Sequence, residues 1–291
     1  MNIIEIDHLK KYYGKHRGVE DVSFQVKEGE IFGFIGPNGA GKSTTIRCAL
    51  SLIYPTSGQI RIFGKDSIKD RVEIARNVGY LPGEVFYYDN MTVRELLNYS
   101  ASFYSKVDPK TVKELCELLE LDPTKRIEDL SLGNKKKVGI VQGLLHDPRL
   151  IVLDEPTSGL DPLMQQRFFN LIEERRRQGA TVLFSSHILS EVKRLSDRIA
   201  IIRNGLIEDI NTVMGLETNA YKNVTVTSPE ERLKQLDNLS GLEIKYSDAG
   251  QREYLFRGDM ALLIRELNQA QVSNLTIEDP SLEEIFMHYY E

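Results

Sequence analysis

Residues 36 to 44 read GPNGAGKST, a set of side chains suited to holding a polyphosphate. Glycines 36, 39 and 41 let the backbone curl until its N–H groups point at the β- and γ-phosphates of a nucleotide. Lys42 adds a point charge there, the Ser43 hydroxyl suits a Mg²⁺ ligand, and Thr44 stands beside it on the phosphate. The whole run, Gly36, Pro37, Asn38, Gly39, Ala40, Gly41, Lys42, Ser43 and Thr44, is therefore the candidate cradle for ATP or GTP. A second group of residues lies more than 100 positions further on, in LIVLDEP and SSH. Asp154 would end a buried strand, where a carboxylate has little reason to stand unless it holds a cation, directly or through water. Glu155 follows at the position for a base or orienting group acting on water that attacks the γ-phosphate. His187 ends the next strand, and parallel sheet order would bring it to the same carboxyl edge.

These residues need a particular scaffold. IFGFIG before the glycine-rich run, LIVLDE, TVLFSSH and IAIIRNG are short apolar runs separated by helix-like stretches. That pattern predicts an α/β fold whose mostly parallel core sheet is covered on both faces. From Met91 to about Leu121 the signal is helical, with caps at Thr92 and Asp108, so a helical insertion interrupts the sheet. Beyond residue 215 the order of signals becomes β-α-β-β-α-β, which suggests a small ferredoxin-like α+β domain. The expected division is 1–215 for the main domain, with its helical subdomain at about 91–145, and 216–291 for the accessory domain. PSLEEIFMHYY is read as a closing helix, with Ser281 and Glu284 in a capping box.

Composition narrows the functional classes. With 37 Lys and Arg against 43 Asp and Glu, the net charge is −6, so no global positive field draws the chain to nucleic acid or anionic lipid. The two cysteines, Cys48 and Cys116, have apolar neighbours and no metal-ligand spacing, and are read as buried thiols. MNIIEIDHLKKYYG carries early acidic residues and no long apolar stretch, so no signal peptide is expected. No run reaches the roughly 18 apolar residues of a spanning helix. EERRR at 173–177 mixes signs and reads as a solvated helix face.

GPNGAGKST, LSLGN, LIVLDEP, TSGLD and SSH, in that order over the first 210 or so residues, resemble the nucleotide-binding subunit of ATP-binding cassette (ABC) transporters. The resemblance implies an ABC-type P-loop NTPase, ATP and Mg²⁺ as cofactors, and ATP hydrolysis. It also assigns a role to LSLGNKKK, residues 130 to 137, a stretch that taken alone reads either as a basic patch or as half of an active site. In the family, the segment at Leu130–Asn134 contacts the γ-phosphate held by the P-loop of a second cassette. Ser131, Gly133 and Asn134 are the candidate contacts, and Ser131 can cap the following helix while the Gly133 N–H faces an anion. Lys135, Lys136 and Lys137 are consecutive, so on a helix they point three ways and cannot make one patch. No nucleic-acid partner is expected.

The resemblance further implies that Tyr13 stacks on adenine, with Tyr12 as the alternate, and that Asp161 lies in the loop linking two sites of a dimer. Glu155 and His187 match the family's catalytic glutamate and switch histidine, and with Lys42 they are the candidate catalytic residues. There are two departures. GYLPGE carries Gly83 where the family has a glutamine, so either Glu84 substitutes, joining Ser43 and Asp154 as a Mg²⁺ ligand, or that contact is lost. The signature has Leu132 for Gly and Asn134 for Gln. Phe86, Tyr87 and Tyr88 are candidate anchors for a membrane subunit.

Taken together, the chain resembles the ATPase of bacterial exporters whose permease is a separate integral-membrane chain. The implied cargo is a drug, an antimicrobial or amphipathic peptide, or a lipid-like molecule, with the subunit at the cytoplasmic face of the membrane and a second cassette, identical or related, as partner. The alternatives are a soluble ABC ATPase acting on ribosomes or DNA, and an ATP-switched regulatory binder. The single P-loop and single signature, about 90 residues apart, count against the first, and Glu155 with His187 against the second.

Overall fold

The computed structural model describes residues 1–215, 221–237, 239–280 and 284, in two compact units, Met1–Asn211 and Thr212–Glu291. The expected closing helix and the Ser281 cap lie outside the described residues.

In the first unit β1 (Asn2–Tyr13) and β2 (His16–Lys27) form a long antiparallel hairpin. β3 (Ile31–Ile35) leads into α1 (Lys42–Ala49), then β4 (Ser57–Ile62), β5 (Lys65–Asp66), α2 (Arg71–Ala75) and β6 (Val78–Leu81). Three helices follow, α3 (Val93–Ala101), α4 (Pro109–Leu118) and α5 (Leu132–Leu144). The chain then alternates through β7 (Leu150–Asp154), α6 (Pro162–Arg177), β8 (Thr181–Ser186), α7 (Leu189–Leu195), β9 (Arg198–Arg203) and β10 (Leu206–Thr212). The strands form one sheet in the order β5-β4-β1-β2-β10-β9-β3-β8-β7-β6.

The half that carries the chemistry is parallel: β3 pairs with β8 and β9, and β7 with β6 and β8. Its strands are apolar without alternation, and every residue of IFGFI, LIVLD and TVLFSS is buried, as a sheet covered on both faces requires. The other half, β1, β2, β4 and β5, is antiparallel and was absent from the expectation of a mostly parallel sheet. Its sequence signal is weaker because register shifts interrupt the alternation of β1 against β2. Both halves share one core, in which Phe24 stacks on Phe32 at 5.2 Å.

The helical insertion starts and stops where its caps dictate. Thr92 and Glu95 form a reciprocal capping box on α3, and Asp108 accepts from the Lys110 N–H with Pro109 in the first turn of α4. The EERRR segment is more than a solvated face. Arg175 reaches Asp147 at 2.8 Å, and Arg176 bonds Asp197 at 2.8 Å and the Gly29 carbonyl at 3.2 Å, so α6 is fastened to the loops that precede the parallel strands.

The second unit has β11 (Lys222–Thr227), α8 (Glu230–Leu236), β12 (Leu242–Asp248), β13 (Gln251–Phe256), α9 (Met260–Gln269) and β14 (Asn274–Glu278). The sheet order β12-β13-β11-β14 is antiparallel throughout, the ferredoxin-like arrangement. Val224, Val226, Tyr254 and Phe256 meet Leu233, Leu236, Leu263 and Leu267 in its core.

One half-buried titratable group sits between the sheet and the helical insertion. The His146 ring stacks on Tyr104 at 3.8 Å, and its Nε2 lies 3.2 Å from the Val78 carbonyl, which requires the proton on Nε2. Its Nδ1 is buried without a partner, and burial pulls the imidazole pKa from 6.5 down to about 4. The folded pKa is below the unfolded one, so the neutral ring's contribution is complete above pH 6.5 and is lost as pH falls toward 4. Comparing wild type with His146→Gln by urea denaturation from pH 7 to pH 4, the wild type should lose about 2 kcal/mol more stability than the variant. Equal pH slopes for the two proteins would contradict this account.

Candidate functional site

The loop from Gly36 to Gly41 joins β3 to α1, and its glycines are demanded by space and by backbone angle. A Cβ at Gly36 would lie 2.3 Å from the Ile202 carbonyl oxygen on β9, and Gly41 adopts φ 114°. Lys42 opens α1 with its side chain almost wholly buried. Its Nζ donates to the Gly36 carbonyl at 2.6 Å and the Pro37 carbonyl at 3.2 Å, and lies 3.2 Å from Glu155 Oε1. The ammonium is thus fixed at the mouth of the loop.

Asp154 is 1% exposed at the end of β7. Its Oδ1 accepts two hydroxyl bonds, from Ser43 of α1 at 3.0 Å and from Ser185 of β8 at 2.7 Å. Glu155 follows in the left-handed region, φ 48°, at a cost of about 1 kcal/mol for a residue with a Cβ. The Ser185 carbonyl accepts the Glu155 N–H at 3.1 Å, which holds that turn and sends the side chain into the site. Glu155 Oε2 lies 2.7 Å from His187 Nδ1. Lys42, Glu155 and His187 form a linked row, with the carboxylate between two basic groups.

Tyr13 and Tyr12 separate clearly. The Tyr12 hydroxyl donates to Glu20, which also pairs with Lys10 at 2.9 Å. The Tyr13 ring is 46% exposed, carries Lys11 Nζ at 5.0 Å from its centroid, and with the Thr44 methyl of α1 flanks the space that a Cβ at Gly18 would enter. Tyr13 is thus exposed near α1, while Tyr12 is half-buried and held by Glu20.

Ser131 caps α5 by accepting the Asn134 N–H at 3.3 Å. The Gly133 backbone packs so closely on the SGLD turn that a Cβ would stand 2.6 Å from the Gly159 carbonyl. Asp161 caps α6 through the Met164 N–H at 2.9 Å. Glu84 is exposed and makes no hydrogen bond or ion pair among the described residues. The structure therefore brings Lys42, Ser43, Asp154, Glu155 and His187 together and leaves Glu84 apart from them. What faces Asp154 is Gly83, whose missing Cβ would be at ordinary contact distance, 3.7 Å from Oδ2.

Sequence reasoning missed two residues of this region. Ser185 supplies the second hydroxyl on Asp154, and its signal is a serine ending an otherwise apolar strand. Lys136 is 2% exposed, with Nζ donating to the Gly83 carbonyl at 2.9 Å and the Pro82 carbonyl at 3.0 Å. Burial pulls its pKa down to about 8, against the opposing pull of the Asp154 and Glu155 charges. Its neighbours behave differently: Lys135 lies 3.7 Å from Asp89, and Lys137 is buried.

A family model described as ABC transporter matches residues 19–158. The bacitracin transport ATP-binding protein BcrA of Bacillus licheniformis is 42% identical over 215 residues, 72% of this chain and 69% of that protein. The linearmycin resistance ATP-binding protein LnrL of Bacillus subtilis (strain 168) is 36% identical over 215 residues, with the same shares of 72% and 69%. Among solved structures, an ATP binding subunit of an ABC transporter superposes with a TM-score of 0.68 at 32% identity, covering 74% of this chain and 92% of that one.

The glycine contacts give a pair of opposed expectations. Gly83→Gln should change folding stability by no more than about 0.5 kcal/mol, because its Cβ meets only ordinary contacts. Gly36→Ala should cost about 2 kcal/mol or more, since backbone must move to admit the methyl group. Urea denaturation of both variants checks the ranking, and a Gly83→Gln loss as large as that of Gly36→Ala would refute it.

Proposed function

This chain belongs to the ABC transporter family as an ATP-binding, ATP-hydrolysing subunit, and on that premise we propose that it drives export of a drug, an antimicrobial or amphipathic peptide, or a lipid-like cargo through a separate integral-membrane permease. The cargo class is supported by the bacitracin and linearmycin names of two relatives. No helix among the described residues is long and apolar enough to cross a membrane, so the spanning path falls to the partner, with this subunit at the cytoplasmic face.

The observation that carries the hydrolytic reading is the row Lys42–Glu155–His187 beside the Ser43–Asp154 pair. In the proposed roles the loop amides from Asn38 to Thr44 and Lys42 hold the β- and γ-phosphates, and Tyr13 stacks on adenine. Glu155 orients and deprotonates the attacking water. His187 fixes one carboxylate oxygen of Glu155, and Lys42 draws the other toward the phosphate side. The donors suit magnesium: one hydroxyl and one carboxylate on a hard ion, with the nucleotide and water supplying the rest. Ser43 and Asp154 would hold that ion, and when bound it neutralises phosphate charge.

The Ser131 hydroxyl and the Gly133 N–H lie at a helix N-terminus with Asn134 beside them, and among the described residues the Ser131 side chain bonds only the Asn134 N–H of its own helix. Their anion is supplied by a second cassette, identical or related, so that two ATP are held between two chains and Asp161 lies in the loop joining the sites. Closure then moves the permease, and hydrolysis reopens the pair. Beside α3 and α5 a cavity of about 460 Å³ is lined by Val85, Phe86, Tyr87, Tyr88 and Tyr99 among others. Phe86 is 85% and Tyr88 59% exposed, and this is where the permease docks.

The test is ATP turnover by the full chain co-expressed with its permease, beside Glu155→Gln. The variant should lose at least about 100-fold in kcat and accumulate as an ATP-bound dimer on size-exclusion chromatography. Turnover by the variant at the wild-type rate would remove Glu155 from its role, and failure of any membrane protein to co-purify would remove the transport reading.

A further inference from the structure

Lys136 is a buried ammonium whose two hydrogen bonds both go to backbone carbonyls of a loop more than 50 residues away in sequence. A charge in that position has to be hydrogen-bonded to be tolerated at all. For folding alone an apolar residue of the same length would serve as well, because replacing a buried charge with matching apolar volume is commonly neutral or stabilising. The two partners of the contact indicate its use. On one side is the loop at Pro82 and Gly83, which lies against the Asp154 carboxylate and, at Gly83, has no side chain to reach it. On the other is α5, whose first turn carries Ser131 and Gly133. Ser131 and Lys136 are about 7 Å apart along one helix axis. The intervening backbone is continuous helix, and the residues after it, Val138, Ile140 and Val141, are buried. A displacement at the first turn therefore moves Lys136 with it.

We infer that Lys136 is a positioning residue that ties the signature helix to the Pro82–Gly83 loop, so that engagement of Ser131 and Gly133 by a second cassette is transmitted to the Asp154 carboxylate of this one. The backbone carbonyls of Pro82 and Gly83 provide the mechanical link that a loop without a side chain at Gly83 otherwise lacks. The inference rests on the ATP-hydrolysing reading of the site for its consequence, and on the hydrogen bonds alone for the link itself.

Both levels are read on the full chain with Lys136→Met, which keeps length and removes donors, and Lys136→Arg, which keeps donors. Hydrogen exchange without nucleotide reads the link. Amides of residues 83–86 should exchange at least about 10-fold faster in Lys136→Met than in wild type, those of β7 and the P-loop should be unchanged, and Lys136→Arg should stay within about 3-fold of wild type. Steady-state hydrolysis reads the consequence: kcat for Lys136→Met should fall about 10-fold while affinity for a fluorescent ATP analogue stays within about 2-fold. Unchanged exchange at 83–86 in Lys136→Met overturns the link, as does an Arg variant as perturbed as Met. A parallel fall in kcat and nucleotide affinity overturns the positioning role. If Lys136→Met does not fold, Lys136→Gln takes its place with the same expectations. A wild type that binds the analogue without turning over ATP would count against the hydrolytic reading, and the exchange result would still decide for or against the link.

Discussion

The buried carboxylate of Asp154 is the constraint on which the rest of the first unit depends. An ionised group at 1% exposure is tolerable only where hydrogen-bond donors converge on it, and here they come from two separate elements, Ser43 on α1 and Ser185 on β8. The pairing register places Asp154 opposite Ser185. A slip of one residue would turn the carboxylate to the other face of the sheet and leave both hydroxyls without it. The strands on either side of this contact, β3, β7 and β8, are buried along their whole length. The hydrophobic sheet is thus what makes a charged residue affordable at its edge.

One residue further on, the same edge changes character. Glu155 leaves the strand through a left-handed turn, and that departure separates the roles of two adjacent acids. Asp154 stays under the sheet edge on hydroxyls, while Glu155 swings between Lys42 and His187. His187 lies at hydrogen-bond distance from one of the Glu155 oxygens and Lys42 is ion-paired with the other. The strain of the turn is small against the stability of a core this size, and it yields a carboxylate that a regular strand could not present.

What the sequence makes legible is what local spacing encodes. GPNGAGKST carries its own turn and helix start, the caps at Thr92, Asp108 and Ser131 are written within four residues of the bonds they make, and the apolar runs announce the parallel strands. Contacts set by the topology are not legible in the same way. The antiparallel half of the sheet is blurred by shifts between β1 and β2. The choice between Tyr12 and Tyr13 depends on Glu20 across the hairpin, and Arg176 finds its partners, Asp197 and Gly29, through the tertiary fold. Glu84 follows Gly83 directly in a bend beyond the end of β6, where no strand period tells which of the two faces the site, and it is Gly83 that meets Asp154.

The run of three lysines shows the same limit in its sharpest form. On α5 each successive side chain is rotated by about 100°, so a run that reads as one positive block in sequence is divided among three environments. Lys135 meets Asp89 near the surface, Lys136 enters the interior toward Pro82 and Gly83, and Lys137 is buried. A phosphate backbone requires cations that are exposed and aligned, and this arrangement offers neither. The charge that composition assigns to a surface is spent inside the protein, on the loop that faces Asp154. On the proposed link, LSLGNKKK is one mechanical unit with two ends, an exposed helix start suited to an anion and a buried ammonium fastened to the loop beside the Asp154 carboxylate, and the helix between them fixes the distance over which those ends act together.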